Sequence, residues 1–345
     1  MIARILFLLF SYSLVVLASP ETDWSGIVAM DRGPKKTPSN REEAQFIARS
    51  HLAAQKNLIE DFLAKYPGDA HAFDARLRLA SILAAQGNMD TTSRPVSAAL
   101  EIFSRLEKDP DAPAAKRADA GFRRIALYLQ TLRGREGEMR GAIVDSARDF
   151  VGRYPGDRRG PRLLVEVATI CDEDPRLKRE LLGEARGLSK EEGLNHRIAD
   201  DLGRLDLLDK PLALKFPTIQ GGTFDVSAHK GDVVLVLFWS AESPHCLLWL
   251  KNFRKNVSLL PQANLRIATI SLDSKREVVA KRMAEFGMEA WPTNYEGTGW
   301  ENTVARPLGI NALPTVFLFD KSGVLRALNA RDNYSLRVQQ LLGQP

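Results

Sequence analysis

The sequence predicts an all-α helical repeat region followed by an α/β domain. Three observations predict it. Apolar residues recur at helical spacing from residue 39 to about 208, a Tyr-Pro-Gly-Asp signature returns within that stretch, and past Pro211 the pattern changes to alternating apolar strands and helices. At 345 residues, 44% hydrophobic and 26% charged, the chain has room for two ordinary domains and is too polar for a multi-span membrane protein. The net charge of +5 comes from mixed basic and acidic residues with no run of five like charges, the pattern of a solvated surface, so no nucleic-acid partner is expected.

The chain opens with Met1-Ile-Ala-Arg4, an apolar stretch over residues 5–17, and Val16-Leu17-Ala18 placed as signal peptidase requires. Residues 1–18 are read as a cleaved export signal, with an uncleaved anchor as the alternative. The stretch is shorter than the roughly 20 residues that cross a bilayer, so no stable span is expected after cleavage. Residues 19–38 are assigned to a linker, and the mature protein is expected outside the cytoplasm, periplasmic or otherwise extracytoplasmic. Export favours disulfides, yet only Cys171 and Cys246 exist. Cys171 follows an apolar helical run and reads as a buried structural thiol.

The helical region is placed at residues 39–209. Ser39-Asn40-Arg41-Glu42 has the form of a capping box, and Phe46, Ile47, Leu52, Leu58, Ile59, Phe62 and Leu63 follow at helical spacing. Asp61-Phe62 leading to Tyr66-Pro67-Gly68-Asp69 returns as Asp149-Phe150 leading to Tyr154-Pro155-Gly156-Asp157, with a weaker copy ending Asp109-Pro110-Asp111. The prolines stand 43 and 45 residues apart. Each ends a helix, because the residue before proline is disfavoured in the helical region and proline donates no amide bond. The period exceeds the roughly 34 residues of a tetratricopeptide unit, but the pattern resembles tetratricopeptide-like solenoids of exported proteins. Such a stack either holds protein and peptide partners or only spaces its neighbour.

The second domain is placed at residues 210–345. Strands are expected at residues 224–226, 232–239 and 265–271, helices at 246–257 and 275–286, and a hairpin from strands 316–319 and 324–328 around Asp320-Lys321-Ser322-Gly323. The run from Gly231 through Trp239 to Ser243-Pro244-His245-Cys246, with Leu313-Pro314-Thr315 downstream, resembles thioredoxin-like proteins of the TlpA/ResA type, a redoxin group related to AhpC/TSA. In that family a tryptophan stands seven residues before the second cysteine of Cys-x-x-Cys, as Trp239 stands before Cys246.

The resemblance implies an α/β thioredoxin fold in which Cys246 matches the deeper, resolving cysteine and Ser243 replaces the exposed nucleophile. Serine forms no mixed disulfide, so an internal disulfide is ruled out at this site. Leu237 occupies the place of the family's buried aspartate, for which Glu289, Glu296 or Glu301 are candidate substitutes. Pro-His before Cys246 is the dipeptide of DsbA-type oxidants, so His245 is expected to lower the thiol's pKa. Leu313 and Pro314, expected to be joined by a cis bond, would position an extended substrate strand.

Two functions are carried forward. One is thiol-disulfide chemistry attenuated to the single thiol of Cys246, with Ser243 as hydrogen-bond donor. The other is a non-catalytic module that binds protein or peptide partners. A peroxiredoxin-like peroxidase is a third, weakened by Trp239 standing where that family has proline. His51, His71, His196 and His229 show no ligand spacing, so neither a metal nor another cofactor is expected.

Overall fold

The computed structural model describes residues 19–89, 94–131 and 136–343, and the expected export signal lies outside them. Among the described residues no helix is long and apolar enough to cross a membrane. The chain divides into two compact units, Met1–Thr131 and Leu132–Pro345.

The first unit consists of α1 (Pro20–Ala29), α2 (Arg41–Lys65), α3 (Ala72–Met89), α4 (Arg94–Glu107) and α5 (Ala114–Thr131). Helix α1 replaces the expected linker. Pro20 starts it beneath the Ser19 cap, and Ile27 and Trp24 join Ile59, Phe62, Ala75 and Ile82 in one core. The capping box at α2 is realised one residue late. Asn40 Oδ1 accepts from Glu43 N at 2.8 Å, and the Glu43 carboxylate reaches back to accept from Ser39 N at 2.7 Å. Phe46 and Leu58 face solvent rather than this core.

The second unit begins with α6 (Glu136–Arg153), α7 (Arg159–Thr169), α8 (Pro175–Leu188) and α9 (Glu192–Leu205). Then follow β1 (Lys215–Pro217), β2 (Thr223–Asp225), β3 (Val233–Trp239), α10 (Pro244–Val257), β4 (Leu265–Ser271), α11 (Arg276–Glu285), β5 (Thr293–Tyr295), β6 (Thr315–Phe319), β7 (Leu325–Ala327) and α12 (Tyr334–Leu342).

The Tyr-Pro-Gly-Asp copies fold alike. In each, the tyrosine amide closes the preceding helix on a phenylalanine carbonyl, Tyr66 on Phe62 and Tyr154 on Phe150. The paired rings lie 5.3 and 5.2 Å apart. Asp69 Oδ1 accepts from His71 N at 2.8 Å, and Asp157 Oδ1 accepts from Arg159 N at 2.9 Å, so the aspartate side chain starts the next helix both times.

The Arg159 donors, ahead of opposing desolvation, hold the Asp157 carboxyl below its ordinary 3.8, so the unfolded chain binds that proton more readily than the folded one. Its contribution to stability is complete above the ordinary value and is lost as pH falls through the folded one. The stability gap between wild type and Asp157→Asn is expected to be level near neutrality and to close between about pH 5 and 2 in urea titrations. A gap constant across that range would show that the Arg159 contact does not stabilise the fold.

Five strands form the central sheet in the order β5-β4-β3-β6-β7, with β3, β4 and β5 parallel and β6 and β7 antiparallel to their neighbours. This is a thioredoxin fold with β5 added at the edge. Strand β3 is buried throughout. Val233, Leu235, Leu237 and Trp239 pack under α10, α11 and α12, while Val234, Val236 and Phe238 pack on the opposite face with Phe216, Phe224, Phe317 and Ile310.

Helices α6–α9 belong to the same compact unit as the sheet. Asn311 donates to Asp201 at 3.3 Å, Asn329 to Asp172 at 3.3 Å, Asn333 to Glu173 at 2.5 Å and Arg326 to Asp209 at 2.7 Å. Gly309, at φ +65°, lies so close to Arg204 that a Cβ there would meet its side chain at 3.0 Å.

Candidate functional site

The site lies at the carboxyl ends of the parallel strands, the usual binding crevice of open α/β sheets. Strand β3 ends at Trp239, and residues 240–243 turn the chain into α10. Ser243 is the N-cap, its Oγ accepting from Cys246 N at 3.3 Å, and Pro244 opens the first turn. The serine therefore replaces the expected nucleophile with a helix cap. Cys246 sits one turn inside, fully buried in a core cluster with Trp239, Ala241 and Leu250.

Burial holds the Cys246 thiol above its ordinary value of 9.0. The Ser243 hydroxyl and the Ser240 backbone oppose the rise, and the Asp273 carboxylate adds to it. His245, at the second position of α10, is exposed and is not among the groups that act on the buried thiol. Nor do Glu289, Glu296 or Glu301 act in place of the missing aspartate. Glu296 accepts from Thr303, Glu301 pairs with Arg306, and Glu289 is exposed. Leu237, at the aspartate's place, is wholly buried.

The carboxylate that serves this site is Asp273, just past β4. It is buried and accepts four hydrogen bonds: from Ser240 Oγ at 2.7 Å, Ala241 N at 2.8 Å, Glu242 N at 3.3 Å and Ser271 Oγ at 2.7 Å. Sequence reasoning assigned it no role. The available signal was an acidic residue two positions past a seven-residue buried strand, at the binding end of a parallel sheet.

Leu313–Pro314 is a cis peptide. Thr315 stands opposite Phe238, so Leu313 and Pro314 occupy the same sheet end as Trp239 and the turn at Ser243. Pro314 is buried, Leu313 half-buried, and Asn311 and Ala312 are exposed. Trp239 packs beneath the site with its indole Nε1 buried and without a protein acceptor. Cys171 is also a buried free thiol, donating to Val167 O at 3.4 Å, and burial pushes it up to about 11. No cluster of three metal-ligating side chains occurs among the described residues.

Residues 209–328 match the AhpC/TSA family. Among solved structures, the chain is similar to the thioredoxin domain of a thiol-disulfide oxidoreductase from Bacteroides vulgatus, with 22% identity, 38% of this chain and 94% of that one covered, and a TM-score of 0.33. A putative thiol:disulfide interchange protein DsbE from Chlorobium tepidum matches at 19% identity over 39% of this chain and 96% of that one, with a TM-score of 0.31. A secreted Mycobacterium tuberculosis disulfide oxidoreductase homologous to E. coli DsbE matches at 14% identity over 39% and 99%, with a TM-score of 0.33. No curated protein matches the sequence. The sheet-bearing part of the chain thus has a thioredoxin fold and is similar to the AhpC/TSA redoxins over residues 209–328.

Proposed function

We propose that this is an exported thioredoxin-like protein, related to thiol-disulfide oxidoreductases, whose single-cysteine site holds a protein or peptide partner without catalytic turnover. The observation that carries the reading is the complete burial of Cys246 behind a serine that caps its helix. A thiolate must be exposed to attack a disulfide or a peroxide, and this thiol is covered and disfavours ionisation. The same burial counts against the peroxidase alternative. Binding is assigned to the exposed residues Asn311 and Ala312 ahead of the cis Leu313–Pro314 bond, where an extended chain would dock. Export rests on the basic start, apolar stretch and small residues of positions 1–18. The helical repeats, with their tetratricopeptide-like pattern, supply a second partner-holding surface.

Wild type is expected to reduce insulin no faster than dithiothreitol alone, whereas Ser243→Cys should form a dithiol with a measurable reduction potential. A reduced and alkylated insulin chain, which offers no disulfide, should shift the amide resonances of residues 311–313 saturably. Turnover by wild type at an ordinary thioredoxin rate would overturn the non-catalytic reading, and unchanged resonances would overturn the binding one.

A further inference from the structure

Residues 240–242 carry no regular backbone pairing, yet they cover the sulfur. The Ser240 backbone interacts with the Cys246 thiol, and Ala241 packs in the same cluster with 1% exposure. A loop of this kind needs an anchor, because its amides have no strand to pair with. Asp273 provides one. Oδ1 accepts from Ser240 Oγ and Glu242 N, and Oδ2 accepts from Ala241 N and from Ser271 Oγ at the end of β4. Three consecutive residues of the cover are thereby tied to one buried carboxylate on the neighbouring strand's extension. The Leu272 amide fixes that extension in turn by donating to Trp239 O at 2.9 Å.

We infer that Asp273 is a positioning residue that latches residues 240–242 over Cys246 and sets how often the thiol meets solvent. Hydrogen bonds to an ionised carboxylate are stronger than those between neutral groups, and here three of them converge on a segment whose other ties are the turn bonds Glu242 N to Ser240 Oγ and Ser243 N to Ser240 O and the exposed Lys275–Glu242 pair. Local opening of that segment, rather than unfolding of the unit, is the route by which a reagent reaches the sulfur. The latch belongs to the loop and stands whether or not a partner docks at residues 311–313.

The test is alkylation of the full-length folded protein by N-ethylmaleimide, with each cysteine followed by peptide mass mapping. Cys171 is the internal reference, being buried in the same unit on a different element. Asp273→Asn keeps the size but turns an acceptor into a donor facing amide and hydroxyl donors. Cys246 should then be alkylated about tenfold faster or more, with Cys171 unchanged. Ser240→Ala removes one tie and should accelerate Cys246 in the same direction by less, and it decides the matter alone if Asp273→Asn does not fold. An unchanged Cys246 rate in a variant with a native circular-dichroism spectrum would overturn the latch. So would Cys171 rising in step with Cys246, which would mark Asp273 as a general stabiliser.

Discussion

Replacing Phe238 with alanine is expected to destabilise the second unit by about 3–5 kcal/mol, the usual cost of emptying a large aromatic site in a core. Phe238 is fully buried on β3, the middle strand of the sheet, and meets the Phe317 ring edge-on at 5.1 Å and 65°. Val234, Val236 and Ile270 share its cluster. None of these neighbours can collapse into the space, because each is fixed by its own place in the β3, β4 and β6 ladder. Guanidinium unfolding with hydrogen exchange read at β3 and β6 is the measurement. A loss below about 1 kcal/mol would mean that the cluster repacks and that β3 is not the centre of the unit.

In the first unit, Arg124→Ala is expected to cost about 3 kcal/mol, because it withdraws the cation from a buried carboxylate. Glu107, in the last turn of α4, has a side chain 2% exposed, and Arg124 Nε donates to it at 2.7 Å from α5. Gly121 makes room for this carboxylate: a Cβ there would lie 2.8 Å from Glu107 Oε1. The informative comparison is the double replacement Glu107→Met with Arg124→Leu, which should recover most of the loss, since an apolar pair of similar size needs no compensating charge. Hydrogen exchange in α4 and α5 reads the effect in this unit. If the single and double variants were equally destabilised, packing of the arginine stem rather than charge pairing would be responsible.

The sheet was legible in the sequence where burial dominates. Residues 233–239 are a continuous apolar run of strand length and residues 265–271 a mixed run rich in β-branched residues, and the structure has the buried strands β3 and β4 there. Strands β1 and β5, each three residues long, were not anticipated. Ser243 and Cys246 came into view through the family resemblance of the Gly231–Cys246 stretch, and the structure has them at the first turn of α10. Asp273 did not come into view, because three of its four partners lie 31 to 33 residues away and meet it only once β3 and β4 pair.

Helix α1 was obscured by the proline- and lysine-containing stretch behind it, although Trp24, Ile27 and Val28 already stood at helical spacing. Helical periodicity also tells that a segment buries one face without telling against what. Helices α6–α9 therefore read as a continuation of the repeats, while their compact unit is the one that holds the sheet.

The side-chain ties between those helices and the sheet's loops bear on inheritance. A gene fusion carrying only residues 210–345 would leave behind Asp201, Asp172 and Glu173, the acceptors of Asn311, Asn329 and Asn333, and would cut Arg326 from Asp209, leaving it the one acceptor Asp320. Recombination that cuts at the sequence's visible change of pattern thus severs these ties. The stretch that carries both sides of every one of them is the compact unit Leu132–Pro345, helices and sheet together.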